Sequence, residues 1–223
     1  KITTPIKHLD IYLNKLEEYQ YTIYDHILNS IKVSNNDIIK KGYTVTLNFI
    51  YALNMVFPMK DYRSGDIQKL IGKNGLDRIM THKEVLVNSV NIVYNYEYTP
   101  QIKKEFGDIF QPDLISKYSK KIKTICDHVE STEGIILIYS QYIAGGLIPM
   151  ALALESMGYS RYGTKYNLLK QNKSNNSEKK YVLITGDNRY SLNNELYLKT
   201  LTNDNNKDGK KIKVVLISKT GAE

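Results

Sequence analysis

The chain has 223 residues, 42% of them apolar, a formal net charge of +8 and a single cysteine. Cys126 alone excludes a disulfide framework and a cysteine-based metal site, and it fits a reducing, intracellular compartment. No apolar run approaches the roughly 20 residues of a membrane span, so no membrane partner is expected. The positive charge fits an anionic partner, nucleic acid being the commonest. Solubility and an AT-rich coding bias toward Lys, Asn, Ile and Tyr explain it equally well. The N-terminus, KITTPIKHLD, has neither Met nor a signal-peptide pattern, so the chain reads as cut at both ends.

In chain order, Leu9, Ile11 and Leu13 alternate, which predicts a short strand. Leu16, Tyr19, Ile23, Ile27 and Ile31 then recur at helical spacing. One longer helix through both stretches is the rival reading. GYTVTLNFIYALNMVFP predicts a mostly helical segment closed by Pro58. Residues 61–111 hold short pieces and read as an irregular, partly helical insertion. Its Tyr-rich YNYEY fits packing, a protein contact or base stacking.

From Gln111 the pattern becomes regular. Pro112 and Asp113 suit a helix start. Leu114, Ile115, Tyr118, Ile122, Ile125, Cys126 and Val129 follow as one apolar stripe. Gly134 precedes IILIYS, a continuous apolar strand. GGLIPMALALESMG reads as a helix with Pro149 in its first turn and Gly158 as its stop. QNKSNNSEKK reads as an exposed loop and YVLIT as the next strand. NRYSLNNELYLKTL reads as a helix with Leu192, Leu196 and Leu198 available for burial. NDNNKDGKK is a second solvated loop, and IKVVLIS is the third strand. Strands without polar alternation are buried on both faces, so the second half predicts an α/β domain with a parallel sheet between helix layers.

Several chemistries are missing from the sequence. It contains no GxxxxGK[ST] phosphate loop, no GxGxxG and no GxSxG elbow. His8, His26, His82 and His128 are scattered, which argues against a metal site. Asp127, His128 and Glu130 lie off the apolar stripe and read as a solvated helix face. What remains is the carboxyl edge of the sheet, where open α/β sheets bind ligands. Three loops leave that edge. The first carries Ser140 and Gln141, the second Thr185 and Gly186, the third Ser218, Lys219, Thr220 and Gly221. Small residues let a backbone approach a phosphate, and hydroxyls add contacts to it. Ordinary strand-to-helix connections also favour Ser, Thr and Gly, and both readings stand at this point.

GIILIYSQYIAGGLIPMALALESMGY resembles motif IV of superfamily 2 helicases, an apolar strand, a Tyr-Ser-Gln-Tyr signature and a helix closing on Gly-Tyr. The matching residues are Tyr139, Ser140, Gln141, Tyr142, Gly158 and Tyr159. YVLITGDN is similar to the following strand that ends in Gly. VVLISKTGAE resembles motif V. Upstream, Leu16, Gln20 and Tyr24 are similar to the Leu-x-x-x-Gln-x-x-x-Tyr stretch of Snf-type ATPases. Ser119 and Lys121 match the Ser-x-Lys that precedes their second domain. ALNMVFP sits where that family closes a helix on His-Pro, with Phe57 in place of the His. The style of the chain resembles the viral branch, which includes poxvirus nucleoside triphosphatase I and the helicase-like early transcription factor subunit.

The resemblance implies a three-layer, parallel-sheet RecA-like domain of the phosphate-loop NTPase type. It would occupy residues 112–223 and be truncated before motif VI. Residues 1–111 would be a mainly helical inter-lobe region with a branch-specific insertion. It further implies an ATP-dependent helicase or translocase used in viral transcription or genome handling, in the virion or host cytoplasm. ATP and Mg2+ belong to the full-length enzyme, and none is expected to bind this chain alone, which should be inactive. The implied partners are nucleic acid (DNA ahead of RNA), the first RecA-like lobe and a viral RNA polymerase. Ser140, Gln141, Thr185, Gly186, Ser218, Lys219, Thr220 and Gly221 would meet the strand, and Gly221 and Glu223 would couple it to ATP. A non-catalytic helicase-like scaffold subunit is the alternative, and an unrelated nucleotide-binding transferase a third.

Overall fold

The computed structural model describes residues 10–33, 38–87, 91–170 and 177–222. The first half opens on two helices, α1 (Glu18–Val33) and α2 (Ile38–Asn54). Ile23 and Ile27 of α1 are buried against Ala52, Val56, Leu70 and Ile71, as the helical spacing requires. Buried Gln20 fixes this pair to the rest of the molecule. Its Nε2 donates to the Ala52 carbonyl at 2.8 Å, and its Oε1 accepts from Lys120 N at 3.1 Å. The expected strand upstream does not form. Leu9 lies outside the described residues, and Ile11 and Leu13 are exposed in an irregular segment. With no strand beside it, that segment lies along a later helix through Asn14–Thr124 and Tyr12–His128 contacts.

The insertion is more regular than its sequence predicts. A 3₁₀ turn (Ser64–Lys69) and α3 (Gly72–Ile79) lead into an antiparallel hairpin, β1 (Met80–Leu86) and β2 (Ile92–Tyr98), followed by α4 (Pro100–Phe106). Tyr96 and Tyr98 are buried, while Glu97 between them is exposed. That is the period of two a half-buried strand needs.

The single helix expected after Pro112 is two, α5 (Ile115–Tyr118) and α6 (Lys120–Ser131). Ser119 breaks the run because its backbone is extended and its Oγ caps α6, accepting from Ile122 N at 3.0 Å. The same hydroxyl donates to the Asn54 carbonyl, so the break also ties α6 to α2.

The second half is mixed α/β, with a four-stranded parallel sheet. Its strands are β3 (Ile136–Tyr139), β4 (Ser160–Arg161), β5 (Lys180–Ile184) and β6 (Val214–Ile217), in the order β3-β6-β5-β4. α7 (Ile148–Ser156) follows β3, with Pro149 in its first turn and Gly158 just beyond its end at φ +91°. α8 (Asn194–Leu201) links β5 to β6, and the short α9 (Lys219–Ala222) follows β6. One sheet face packs Tyr181, Leu183, Val214 and Leu216 against α6 and against α7, which is buried from Ile148 to Glu155. The other packs Val182, Ile184 and Val215 against Tyr197 of α8.

Two burial expectations fail on that second face. β3 is an edge strand, and α8 covers only β5 and β6, so Leu137 and Tyr139 are exposed rather than buried. α8 itself, capped by Asn193, buries Tyr197 and Thr200, and leaves Leu196 and Leu198 exposed. The NDNNKDGKK loop is partly ordered. Asn206 is buried, with its Oδ1 accepting from Lys211 N and Ile212 N. QNKSNNSEKK falls largely outside the described residues. Among the described residues, no helix is long and apolar enough to cross a membrane.

A buried polar junction joins the hairpin to the sheet. Glu155, at the end of α7, is 1% exposed. Its carboxylate accepts from Leu168 N (2.8 Å), Leu169 N (2.5 Å) and Tyr181 Oη (2.5 Å). Burial pushes its pKa up to about 7, against the pull of these donors and of Arg161. The segment it holds then pairs with β2: Tyr96 N donates to Leu168 O and Lys170 N to Tyr96 O.

Candidate functional site: the carboxyl edge of the sheet

The parallel register brings the three strand-end loops side by side. Ser140 N donates to Ile217 O at 3.1 Å, and Ser218 N to Ile184 O at 3.0 Å. Gly221 packs directly on the Ile184–Thr185 backbone, where a Cβ would collide with the Ile184 carbonyl. A Cβ on Gly186 would fall 2.7 Å from Cγ2 of Thr220. The loops after β5 and β6 therefore touch through glycine, which is the only residue that permits this approach.

The edge sorts its polar groups into two classes. Thr185 and Ser218 are each 2% exposed, and their hydroxyls are spent inside the loops. Thr185 Oγ1 accepts from Asp187 N and pairs with Ser191 Oγ at 2.9 Å, while Ser218 Oγ accepts from Gly221 N at 3.1 Å. These two residues shape the edge rather than present a contact. Lys219, Thr220, Gln141 and Gly186 are exposed, and Ser140 and Gly221 are half-buried. Ser140 Oγ accepts from Tyr142 N at 3.1 Å, closing the turn after β3, and Gly146 lies against that hydroxyl. Gln141 Nε2 donates to Tyr142 Oη at 2.6 Å. Glu223 lies outside the described residues.

The β5 loop carries a further feature. Arg189 donates to both carboxylate oxygens of Asp187 through Nε and Nη2, holding that carboxyl below the usual range. Its guanidinium lies 4.8 Å from the Tyr94 ring centroid and 3.8 Å from Glu84 of β1. Tyr190 Oη meets Tyr96 Oη at 2.8 Å, and Arg161 Nη2 donates to Tyr190 O. The hairpin thus buttresses the edge, a role the sequence reading missed. The signal was present in Tyr94-Asn95-Tyr96-Glu97-Tyr98, which alternates as a strand should.

Among the described residues, no group of three His, Cys, Asp or Glu side chains could hold a metal ion. The edge loops carry no GxxxxGK[ST] phosphate-loop sequence. What the edge offers is a patch of exposed amide, hydroxyl, glycine backbone and one lysine, suited to touching phosphates without chemistry at them. No protein-family model and no curated protein matches the sequence.

Proposed function

We propose that this chain is the second, strand-contacting lobe of an ATP-driven nucleic-acid translocase of the Snf-type superfamily 2 class, with the edge loops touching the backbone of the tracked strand. One observation carries the reading. Three parallel-strand loops converge on one edge, with Gly221 seated on the β5 backbone and Lys219, Thr220 and Gln141 left exposed beside it. That arrangement supports sequence-independent phosphate contacts, which position a strand without reading bases. The RecA-like assignment rests on the strand order and on the ordered motif resemblance. A nucleotide-binding first lobe would supply ATP and Mg2+. The net charge of +8 supports an anionic partner.

The test is a binding titration of a fluorescent oligothymidylate and of a duplex between about 50 and 200 mM salt, because phosphate contacts release counterions. A linear fall of log affinity with log salt, reduced in Lys219→Gln, is expected. Affinity that stays flat across that range removes the nucleic-acid reading and favours a small-nucleotide transferase.

A further inference from the structure

Two groups of exposed apolar side chains share one spacing. Ile11 and Leu13 are 85% and 94% exposed, and Leu137 and Tyr139 are 65% and 57% exposed. A spacing of two puts both members of a pair on one face of an extended strand. Leu86 and Ile92, also exposed, already oppose each other across the hairpin.

Leu137 and Tyr139 belong to a strand with an open side. β3 ends the sheet, with β6 as its one neighbour. Ile136 N donates to Lys213 O and Ser140 N to Ile217 O, so the even-numbered residues bond to β6. Leu137 and Tyr139 therefore turn their own N–H and C=O groups to the open side. Edge strands are ordinarily blunted by charge, proline, a bulge or short length. β4, the opposite edge, follows that rule with two residues, one of them Arg161. From Ile135 to Gln141 the chain has neither a charge nor a proline.

Charge narrows the choice of occupant. At the amino end of β3, Gly209 packs on the Gly134 carbonyl, which brings the 207–211 turn alongside. Lys207, Lys210 and Lys211 are exposed there, with Asp208 near Lys210 at 4.0 Å. At the carboxyl end, exposed Lys121 lies beside Tyr139. An apolar edge with lysines at both ends fits an apolar strand flanked by acids. The chain itself contains one. DIYLNKLEE, residues 10–18, sets exposed Ile11 and Leu13 between Asp10 and the pair Glu17 and Glu18, with Lys15 as its one cation. Its upstream part, residues 10–17, is irregular and pairs with no strand among the described residues. Side-chain contacts hold it on α6: Thr124 Oγ1 donates to Asn14 Oδ1 at 2.5 Å, Tyr12 meets the His128 ring edge-on, and Glu17 faces Lys120 at 3.9 Å. Ile11 and Leu13 are left facing water.

We propose that the segment around Ile11–Leu13 of one copy adds as a strand to the open edge of β3 in a second copy, reciprocally, to form a dimer. Backbone bonds to Leu137 and Tyr139 supply the pairing, and Ile11 and Leu13 lie beside those two side chains on the open face. The exchange is closed, because each copy gives one strand and receives one. It uses the side of the sheet and needs no nucleic acid.

Sedimentation of the full chain from low to high micromolar concentration should show a monomer–dimer equilibrium. Leu13→Asp and Leu137→Asp should each abolish the dimer. Both positions are exposed, so the urea midpoints should match that of the unmodified protein. Leu198→Asp, at an exposed leucine of α8, should leave the dimer intact. Mixing the two monomeric variants restores one of the two contacts, and a weaker dimer should return. A second readout requires no loss of contact. Leu13→Cys mixed with Leu137→Cys should form a disulfide between chains on oxidation, the native Cys126 being buried. A chain that stays monomeric at every concentration, or a cysteine pair that does not cross-link, overturns the proposal. A dimer lost in Leu137→Asp but kept in Leu13→Asp also overturns it and seats a second β3 on the edge. A monomer in which Leu13→Asp shifts the Leu137 and Tyr139 amide signals overturns it as well and puts the segment on its own chain.

Discussion

Glu155 and Lys121 are both ionisable groups held by hydrogen bonds, and the fold places them in opposite settings, the first buried and the second exposed. Glu155 lies buried near the C-terminal end of α7, and three donors converge on its carboxylate. Lys121 lies exposed in the first turn of α6, with one neutral acceptor, Asn54 Oδ1, at 2.8 Å. A desolvated charge surrounded by donors does structural work, because removing it strands every donor. An exposed charge with one neutral partner keeps its water, and removing it strands no buried donor. The difference separates a buried fastener from a surface group using geometry alone.

The largest effect that could break the comparison is on stability. Glu155→Ala should cost about 3–5 kcal/mol, since it leaves Leu168 N, Leu169 N and Tyr181 Oη without acceptors. Lys121→Gln should stay within about 0.5 kcal/mol of the unmodified protein. Urea midpoints measure both, and similar losses would erase the distinction. The next test is pH. The folded pKa of Glu155, about 7, lies above its ordinary 4.5, so the native state holds a proton that the unfolded chain releases. The stabilisation is complete below pH 4.5 and falls as pH rises toward 7, by up to about 3 kcal/mol. Chemical denaturation across that window should show the fall, and Glu155→Gln should flatten it. Ser119→Ala sharpens the Lys121 side of the comparison. Losing the α6 cap and the bond to the Asn54 carbonyl should cost about 2 kcal/mol, with loosened Asn54 amide signals. The smallest effect belongs to Tyr96→Phe, which removes the bond to Tyr190. A loss of about 1 kcal/mol is expected, with faster hydrogen exchange in the β5 loop.

Much of the α/β half was legible because its strands are short apolar runs between glycines and loops. Ile136–Tyr139, Lys180–Ile184 and Val214–Ile217 all fall where IILIYS, YVLIT and IKVVLIS placed them. β4 was not legible, since two residues after Tyr159 carry no period at all. The hairpin was missed because His82, Lys83 and Glu84 face water on β1 and hide the pattern that β2 shows plainly. At the edge, residue types located the loops, but only the structure separates the inward hydroxyls of Thr185 and Ser218 from the exposed Thr220. Glu155 read as one acid in a helix, and nothing local shows that Leu168, Leu169 and Tyr181 close around it. The bond between Asn54 and Lys121 is likewise illegible, since tertiary packing makes it across most of the first half.

The sheet order also sets a sequence of events in time. β3 is the first strand of this sheet to be synthesised, yet its one partner is β6, the last: Ile136 pairs with Val214 and Tyr139 with Ile217. During synthesis β3 has no strand to bond until the polypeptide has passed residue 217. Ile136 and Ile138 can meanwhile rest on α6 and α7, which flank β3 in sequence and pack on the same face. Such distant pairing predicts slow final closure. It makes the arrival of β6, whose loop carries Lys219 and Thr220, the step at which the core and the candidate contact edge are completed together.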